Sequence, residues 1–276
     1  MHMIDNIRED DKPIIAGILN VTPDSFSDGG KYNDVDKALK HVEQMIAEGA
    51  DMIDIGGEST RPGYEMISSE EEIARVCPVI EAVKKNFDIP LSLDTYKASV
   101  AEKGIAAGVD YINDIWGLKW DDEDIRRTMA EVCAAGQVGV IIMHNRWVTS
   151  YNDFINDCMA DLQESLNLAE AVGIPKDKII LDPGIGFAKS LHNNLVMMNS
   201  LDKICKIGYP VLLGVSRKSM IGLTLELEKD QREEGTIAAN VFGLMKGCRI
   251  FRVHDVQKNR RALDMAYAMM TVSYFR

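Results

Sequence analysis

The sequence predicts an α/β protein built as a single-domain (β/α)8 TIM barrel, and three observations support this fold class. Eight short apolar runs recur along the 276 residues, helical patterns separate them, and no linker or low-complexity stretch divides the chain. Alternation of strands and helices requires parallel strands joined by right-handed crossovers. An open, doubly wound sheet is the alternative, but the Gly-x-Gly-x-x-Gly turn typical of such sheets does not follow the first run.

Each predicted strand is a short, mainly apolar run without strict alternation of apolar and polar residues, which is typical of a strand buried on both faces. The eight runs are Ile14–Leu19, Met52–Ile55, Leu91–Leu93, Tyr111–Ile112, Val138–Met143, Ile179–Leu181, Val211–Leu213 and Ile250–Val253. Eight strand–helix repeats in about 250 residues is the number that a closed barrel requires. We therefore expect the active site at the C-terminal ends of these strands.

The predicted helices carry apolar residues at helical spacing. They are Val35–Glu48, Ser69–Lys85, Lys97–Ala107, Asp122–Ala135, Asp153–Ala171, Asn193–Lys203, Glu233–Lys246 and Asp255–Tyr274. Ser69 is followed three residues later by Glu72, which is typical of a helix N-terminus. We assign residues 1–12 to an N-terminal extension and residues 13–276 to one barrel domain.

Composition excludes several classes of partner. The chain has 31 Lys and Arg against 43 Asp and Glu, a formal charge of −12. This acidic balance disfavours nucleic acid and anionic membranes as main partners. The five cysteines form no Cys-x-x-Cys pair, which disfavours zinc and a disulfide framework and favours free thiols in a reducing compartment. Without a long apolar run or a signal peptide, the prediction is a cytoplasmic protein.

Polar side chains stand at or just beyond the C-terminal end of every predicted strand. They are Asn20, Asp54, Asp94, Asn113, Asp114, His144, Asn145, Asp182, Ser216, Arg217, Lys218, Arg252 and His254. Some could serve as helix N-caps, which is the role we expect of Asp114 and Asp255. Asp54, Asp94 and Asp182 directly follow or end an apolar run, and we expect them to be functional.

Two long loops rich in glycine and hydroxyl residues follow the first and second strands, at residues 20–30 and 56–63. Backbone N–H groups, hydroxyls and an arginine are the groups that grip phosphate, although surface turns have a similar composition. In a third stretch, residues 182–187, two glycines allow the backbone to approach a ligand closely, with Phe187 beside it.

Taken together, these segments resemble the dihydropteroate synthases of the pterin-binding barrel superfamily. The matching segments, in family order, are 17–30, 54–63, 94–96, 112–114, 182–187, 216–219 and 252–256. They extend over nearly the whole chain. The resemblance implies condensation of p-aminobenzoate with 6-hydroxymethyl-7,8-dihydropterin pyrophosphate, assisted by Mg²⁺, in a homodimer that binds small-molecule substrates.

The resemblance implies a pterin subsite of buried polar groups. Its residues would be Asp94, Asn113, Met143, Asp182 and Lys218. A carboxylate accepts the N–H donors of a pterin, an amide donates and accepts, and an ammonium donates to the ring carbonyl. An internal ion pair between a carboxylate and Lys218 is the alternative.

The resemblance also implies subsites for the other two ligands. Pyrophosphate would contact Asn20, Arg61, Arg252 and His254. The p-aminobenzoate would contact Thr60, Arg61, Phe187 and Ser219. Asn20 would also lie near Mg²⁺, an ion that needs few protein ligands because it retains waters and phosphate oxygens. For His254, a buried core imidazole is the alternative.

Catalytic roles would fall, by resemblance, to Asp94, Lys218, Arg252 and His254. We expect a dissociative substitution in which Mg²⁺, Arg252 and His254 stabilise the leaving pyrophosphate. Asp94 would favour the cation delocalised into the pterin ring. The aniline nitrogen is unprotonated at neutral pH, so the reaction demands no strong general base.

The chain departs from the family pattern at two places. After the fifth strand it reads Met143-His144-Asn145-Arg146, and Ala188 stands where a glycine is common. Two alternative functions are open. A folate-dependent methyltransferase of the same superfamily should lack the motifs at 60–63 and 216–219, and a non-catalytic pterin-binding paralogue should have lost loop residues.

Overall fold

Eight strands alternate with ten α-helices in the parts of the chain that the computed structural model describes, residues 11–22, 31–58, 66–122 and 124–272. The strands are β1 (Ile14–Asn20), β2 (Met52–Gly56), β3 (Leu91–Asp94), β4 (Tyr111–Asp114), β5 (Gly139–Met143), β6 (Ile179–Asp182), β7 (Leu212–Leu213) and β8 (Ile250–Val253). Each strand overlaps one predicted apolar run, so all eight strand predictions are confirmed. Residues 1–10 lie outside the described ranges, and the N-terminal extension stays a prediction.

The helices follow the strands in the order that a barrel requires. They are α1 (Lys31–Ala47), α2 (Ser69–Asn86), α3 (Ala98–Ala107), α4 (Met129–Gly136), α5 (Phe154–Ala171), α6 (Leu191–Asn199), α7 (Leu201–Cys205), α8 (Ser219–Leu225), α9 (Glu233–Met245) and α10 (Val256–Thr271). No helix among the described residues has both the length and the apolar character needed to span a membrane.

All the strands are parallel and form one sheet in the order β6-β5-β4-β3-β2-β1-β8-β7. The two outer strands, β6 and β7, meet through an isolated parallel bridge between Leu181 and Val211. This bridge brings the sheet close to a closed barrel. The predicted (β/α)8 fold is therefore confirmed.

Several helix starts differ from the prediction because capping residues decide them. Helix α4 begins at Met129 rather than Asp122, since Thr128 and Glu131 form a reciprocal capping box at that point. The cap of α2 is Ser68, whose Oγ accepts from the N–H of Glu71 at 3.2 Å. The prediction of Ser69 as the cap is wrong by one residue.

The two aspartates expected to cap helices behave differently. Asp114 accepts from the backbone N–H groups of Trp116 at 2.8 Å and Leu118 at 2.6 Å, so it stabilises a turn rather than a helix. Asp255 stands at the N-cap of α10, but its side chain makes no capping bond and pairs with Arg217 across 2.9 Å. Neither residue acts as the predicted helix cap.

Every second residue of a strand points into the barrel, and these inward-pointing residues form an apolar floor with a polar layer above it. The floor is a separate cluster of buried residues: Ile14, Ala16, Met52, Tyr111, Ile141, Ile180, Leu212 and Ile250. Two residues further along the same faces, polar groups replace the apolar ones, as in Asp54 after Met52, Asn113 after Tyr111 and Asp182 after Ile180. The floor therefore supports a layer of polar side chains at the C-terminal ends of the strands.

Candidate active site at the carboxyl ends of the strands

A cavity of about 570 Å³ opens at the C-terminal end of the barrel. The predicted site residues that line it are Asn20, Asp94, Asn113, Met143, Asp182, Phe187, Lys218, Ser219, Arg252 and His254. They come from seven strands or the loops after them and lie far apart in the sequence. Thr60 and Arg61, the remaining two predicted residues, fall outside the described residues.

A buried ion-pair network forms one wall of the cavity. Arg252 donates through Nε to Asp54 at 2.5 Å and through Nη2 to Asp94 at 2.7 Å. The pKa of Arg252 lies above its usual value because these carboxylates outweigh the cost of burial. The guanidinium is thus held in place by two neighbouring strands before any ligand arrives.

Asp54 lies beneath the cavity rather than in its lining. It is 1% exposed and accepts from Ser92 Oγ at 2.5 Å, with Asn113 Nδ2 3.4 Å from both carboxylate oxygens. Its position near a strand end correctly indicated that it lies next to the cavity. Asp54 positions two residues that do line the cavity, because it contacts Asn113 and Arg252.

Asp94 combines burial with an unused acceptor. One carboxylate oxygen, Oδ2, is bonded to Arg252, whereas Oδ1 has no hydrogen-bond partner within the described ranges. Burial raises the pKa of Asp94 to about 7, even though the Arg252 guanidinium opposes the shift. A ligand that donates an N–H here would satisfy the free oxygen and favour the ionised carboxylate.

Asp182 and Lys218 line the cavity at the end of β6 and after β7. Asp182 Oδ1 accepts from the N–H of Gly184 at 2.7 Å, and burial raises the pKa of its carboxyl group. Lys218 donates to the carbonyl of Ile185, and its Nζ lies 4.6 Å from the centre of the Phe187 ring. Desolvation lowers the pKa of Lys218 to about 8, against the opposing charge of Asp182. The lysine is therefore not bonded directly to Asp182, and its interaction with that carboxylate is electrostatic.

His254 lies half-buried at the cavity wall, beside the end of β8. Its Nδ1 is 2.9 Å from Ser216 Oγ, and the same hydroxyl accepts from its backbone N–H at 3.2 Å. Desolvation, followed by the charges of Arg252 and Arg217, lowers its pKa to about 3. A neutral imidazole that lines a cavity fits a ligand-binding role better than the core alternative.

An aromatic wall borders the same cavity, and its tyrosine and tryptophans were not predicted, although Met143 and Phe187 were. Tyr96, Ile115 and Met143 form a buried cluster against which Trp116, Trp120 and Phe187 pack. Trp147 stacks on Trp116 with ring centres 3.9 Å apart, although it is 74% exposed. A signal was available, because the three tryptophans all lie in loops after the fourth and fifth strands.

A buried charge cluster adjoins the cavity where the second loop begins and ends. Lys97 Nζ donates to Glu58, to Glu72 at 2.8 Å and to the carbonyl of Ile67 at 2.7 Å. Glu58 lines the cavity and accepts from Tyr96 at 2.8 Å. This cluster also escaped the sequence analysis, since it joins residues 25 to 39 positions apart.

Comparison with known proteins agrees with this geometry. Residues 16–254 match the family described as pterin binding enzyme. The dihydropteroate synthase of Clostridium beijerinckii is 56% identical over 261 residues, covering 94% of each chain. The enzyme of Bacillus subtilis with the same name is 52% identical, over 94% of this chain and 90% of its own.

Solved structures give the same result. The Clostridium difficile dihydropteroate synthase, determined in the presence of pteroic acid, has a TM-score of 0.90 and 46% identity, covering 96% of this chain and 99% of that one. The Xanthomonas albilineans enzyme with 4-aminobenzoic acid has a TM-score of 0.89 and 40% identity, covering 96% and 95%. The chain therefore belongs to the dihydropteroate synthase family of pterin-binding enzymes.

Proposed function

We propose that this protein is a transferase that condenses 6-hydroxymethyl-7,8-dihydropterin pyrophosphate with p-aminobenzoate to give 7,8-dihydropteroate and pyrophosphate. The observation that carries the proposal is the meeting, in one cavity, of two buried carboxylates, an amide, an ammonium and a guanidinium. These groups match the donors and acceptors of a pterin edge and the charge of a pyrophosphate.

The pterin subsite comprises Asp94, Asn113, Met143, Asp182 and Lys218. Asp94 Oδ1, which has no hydrogen-bond partner in the described part of the chain, and the buried carboxylate of Asp182 accept the N–H donors of the aminopyrimidinone ring. Lys218 donates to the ring carbonyl, and Met143 packs against the ring face. A site of this kind rejects analogues that leave its buried polar atoms unpaired.

Arg252, His254 and Asn20 receive the pyrophosphate. Arg61, which the resemblance assigns to the same ligand, lies outside the described residues. Mg²⁺ fits this side of the cavity, because Asn20 offers an amide oxygen and the ion takes its other ligands from phosphate and water. The described residues hold no group of three or more His, Cys, Asp or Glu that could cage a metal ion. When bound, Mg²⁺ supplies positive charge next to the leaving group.

The p-aminobenzoate subsite lies beside the pterin, with Phe187 and Ser219 in the cavity lining and Thr60 and Arg61 outside the described residues. Phe187 offers an aromatic surface to the benzene ring. The related Xanthomonas structure with 4-aminobenzoic acid supports an arylamine substrate for this chain.

Reaction proceeds through cleavage of the C–O bond, whose electron pair leaves with pyrophosphate. Arg252 stabilises the negative charge on the departing oxygen, and the neutral His254 donates a hydrogen bond to it. Asp94, ionised by contact with the pterin, favours the positive charge left on the ring. The aniline nitrogen then attacks the methylene carbon and releases its proton to water or pyrophosphate.

We propose that the enzyme acts as a cytoplasmic homodimer. An exposed apolar surface on α9 and α10 supports the dimer, since such patches mark contact sites. Its exposed side chains are Phe242, Met245, Met265, Met269 and Met270. Small-molecule substrates are its expected ligands, and nucleic acid and membranes are not.

Pyrophosphate release measured with Mg²⁺, with and without p-aminobenzoate, tests the function. Release that requires the amine, matched by formation of dihydropteroate, would support the synthase. Pterin binding without release would instead favour the non-catalytic paralogue. Methyl transfer from a reduced folate, with no reaction of the pyrophosphate substrate, would favour the methyltransferase.

A further inference from the structure

Lys189 belongs to the loop that joins β6 to α6, residues 183–190, and its side chain is buried beneath that loop. It donates to His144 Nδ1 at 2.7 Å, to the carbonyl of Gly184 at 2.9 Å and to the carbonyl of Phe187 at 3.1 Å. A fourth, longer contact joins the ammonium to the carbonyl of His144 at 3.5 Å, so the three closer acceptors match the three protons of the ammonium. The side chain therefore joins two carbonyl groups of its own loop to His144, which directly follows β5.

The imidazole of His144 is fixed in one tautomer by its two neighbours. Because Lys189 can only donate, Nδ1 must be the unprotonated acceptor, and Nε2 donates to Asp161 Oδ2 across 2.9 Å. Burial lowers the pKa of His144 to about 4, so the ring is neutral near pH 7.

Arg146 completes the chain of contacts. It donates to Asp161 through Nε at 2.5 Å and through Nη2 at 3.1 Å, and this bidentate contact orients the carboxylate. Asp161 lies on α5, so the chain ties that helix to the interior of the barrel. Both His144 and Arg146 stand in the segment where the sequence departs from the family pattern.

The loop that Lys189 fastens is also the loop that places two cavity residues. Lys218 donates to the carbonyl of Ile185, and the Phe187 ring lies beneath its ammonium. Gly186 lies between Ile185 and Phe187 in the sequence, and its N–H donates to Asn194 Oδ1 at 2.6 Å. A shift of this loop would move the acceptor of Lys218 and the aromatic ring together, whereas Arg252 and His254 are held from β8.

We propose that Lys189 and His144 are a pair of positioning residues that holds the β6–α6 loop in the shape that presents Lys218 to the pterin, with the Phe187 ring beneath its ammonium. The inference rests on the proposed function, since it concerns the pterin subsite of that reaction. The pair acts through the loop and is not expected to contact the substrate. The pair is expected to control pterin binding and to leave pyrophosphate binding alone.

Titration calorimetry on Lys189→Met tests the proposal, with 6-hydroxymethylpterin and inorganic pyrophosphate as separate probes. We expect the Kd for the pterin to rise at least tenfold while the Kd for pyrophosphate stays within twofold. The matched control is Lys203→Met, which removes an exposed lysine on α7 and should change neither. A pterin Kd within twofold of the parent, or an equal loss for both probes, would overturn the inference.

A milder variant and a spectroscopic measurement cover the case in which Lys189→Met does not fold. Asp161→Asn removes the charge that orients His144 and should raise the pterin Kd about threefold or more. In ¹⁵N NMR of the parent, His144 should appear as the Nε2–H tautomer, and finding Nδ1–H would overturn the pair. A parent chain that binds no pterin refutes the proposed function instead, while the tautomer still decides whether the pair exists.

Discussion

Arg252 donates through Nη2 to one oxygen of Asp94, and the other oxygen of that carboxylate has no partner among the residues that the structure describes. A buried acceptor without a donor costs on the order of 1–3 kcal/mol. A ligand that supplies the missing N–H recovers this free energy. Asp94 can therefore accept a hydrogen bond from a donor-rich ring through Oδ1, while Arg252 holds the carboxylate through Oδ2.

Pterin affinity should pass through a maximum between about pH 7 and 8. Binding favours ionised Asp94, whose pKa is raised to about 7, so affinity increases as pH rises through that value. Binding also favours charged Lys218, whose pKa is lowered to about 8, so affinity decreases as pH rises further. Calorimetry from pH 5.5 to 9.5, in steps of about half a unit, would measure the rise and the fall of affinity. Because Asp94 and Lys218 interact, each midpoint describes the interacting groups together rather than one residue.

Two variants separate the limbs of this profile. Asp94→Asn should remove the rise at acid pH, and Lys218→Met should remove the fall at alkaline pH. A profile of the parent that is flat across this range would contradict the assigned roles of both residues.

Turnover should depend strongly on Lys218. Lys218→Ala removes the donor to the pterin carbonyl and the charge that faces Asp182, so we expect loss of detectable dihydropteroate formation. Steady-state kinetics on the purified variant, with circular dichroism to verify folding, would measure the effect. Activity within threefold of the parent would show that the lysine has no such role.

Removal of Lys97 should destabilise the fold. The side chains of Lys97, Glu58 and Glu72 are 6%, 2% and 1% exposed. Lys97→Met leaves both carboxylates buried without their partner, and such losses cost about 3–5 kcal/mol. Urea unfolding would measure the change in the free energy of unfolding.

The matched control for this cluster is the triple variant Lys97→Met, Glu58→Gln, Glu72→Gln. It removes the charges together and should recover at least half of the lost stability. A single variant that loses less than about 1 kcal/mol would mean that the carboxylates become protonated at little cost.

Ala188→Gly should stabilise the protein slightly. Ala188 adopts φ of +45°, a left-handed conformation that costs a non-glycine residue about 1–2 kcal/mol, against about 0.5–1 kcal/mol of extra chain entropy for glycine. We expect a gain of about 0.5 kcal/mol, measured by urea unfolding. Ala160→Gly, on the exposed side of α5, should instead lose about 1 kcal/mol. A loss at position 188 as large as that control would contradict the strain argument.

The strands were predictable because each contains a short, mainly apolar run, but the same property concealed which residues point into the barrel. Ile14 belongs to the interior floor, and Ile15 next to it belongs to the core outside. Both are apolar, so no alternation in the sequence distinguishes them. Register and the bridge between Leu181 and Val211 depend on the closed sheet as a whole.

The lining of the site was largely predictable from strand ends and family resemblance, as for Asp94, Asp182 and Arg252. The buried residues that hold the lining in position were not predictable. The contact between His144 and Lys189 spans 45 positions, and nothing local in either segment indicates the other. Buried partners of this kind arise from how two loops meet, which one sequence does not reveal.

The aromatic wall gives the molecule a built-in optical reporter. The chain has three tryptophans, and all of them, Trp116, Trp120 and Trp147, lie within ring contact of one another. Two of them pack against Ile115 and Met143, which line the cavity. Intrinsic tryptophan fluorescence of the whole protein therefore originates at the mouth of the barrel, and filling of the cavity can be followed by light without any label.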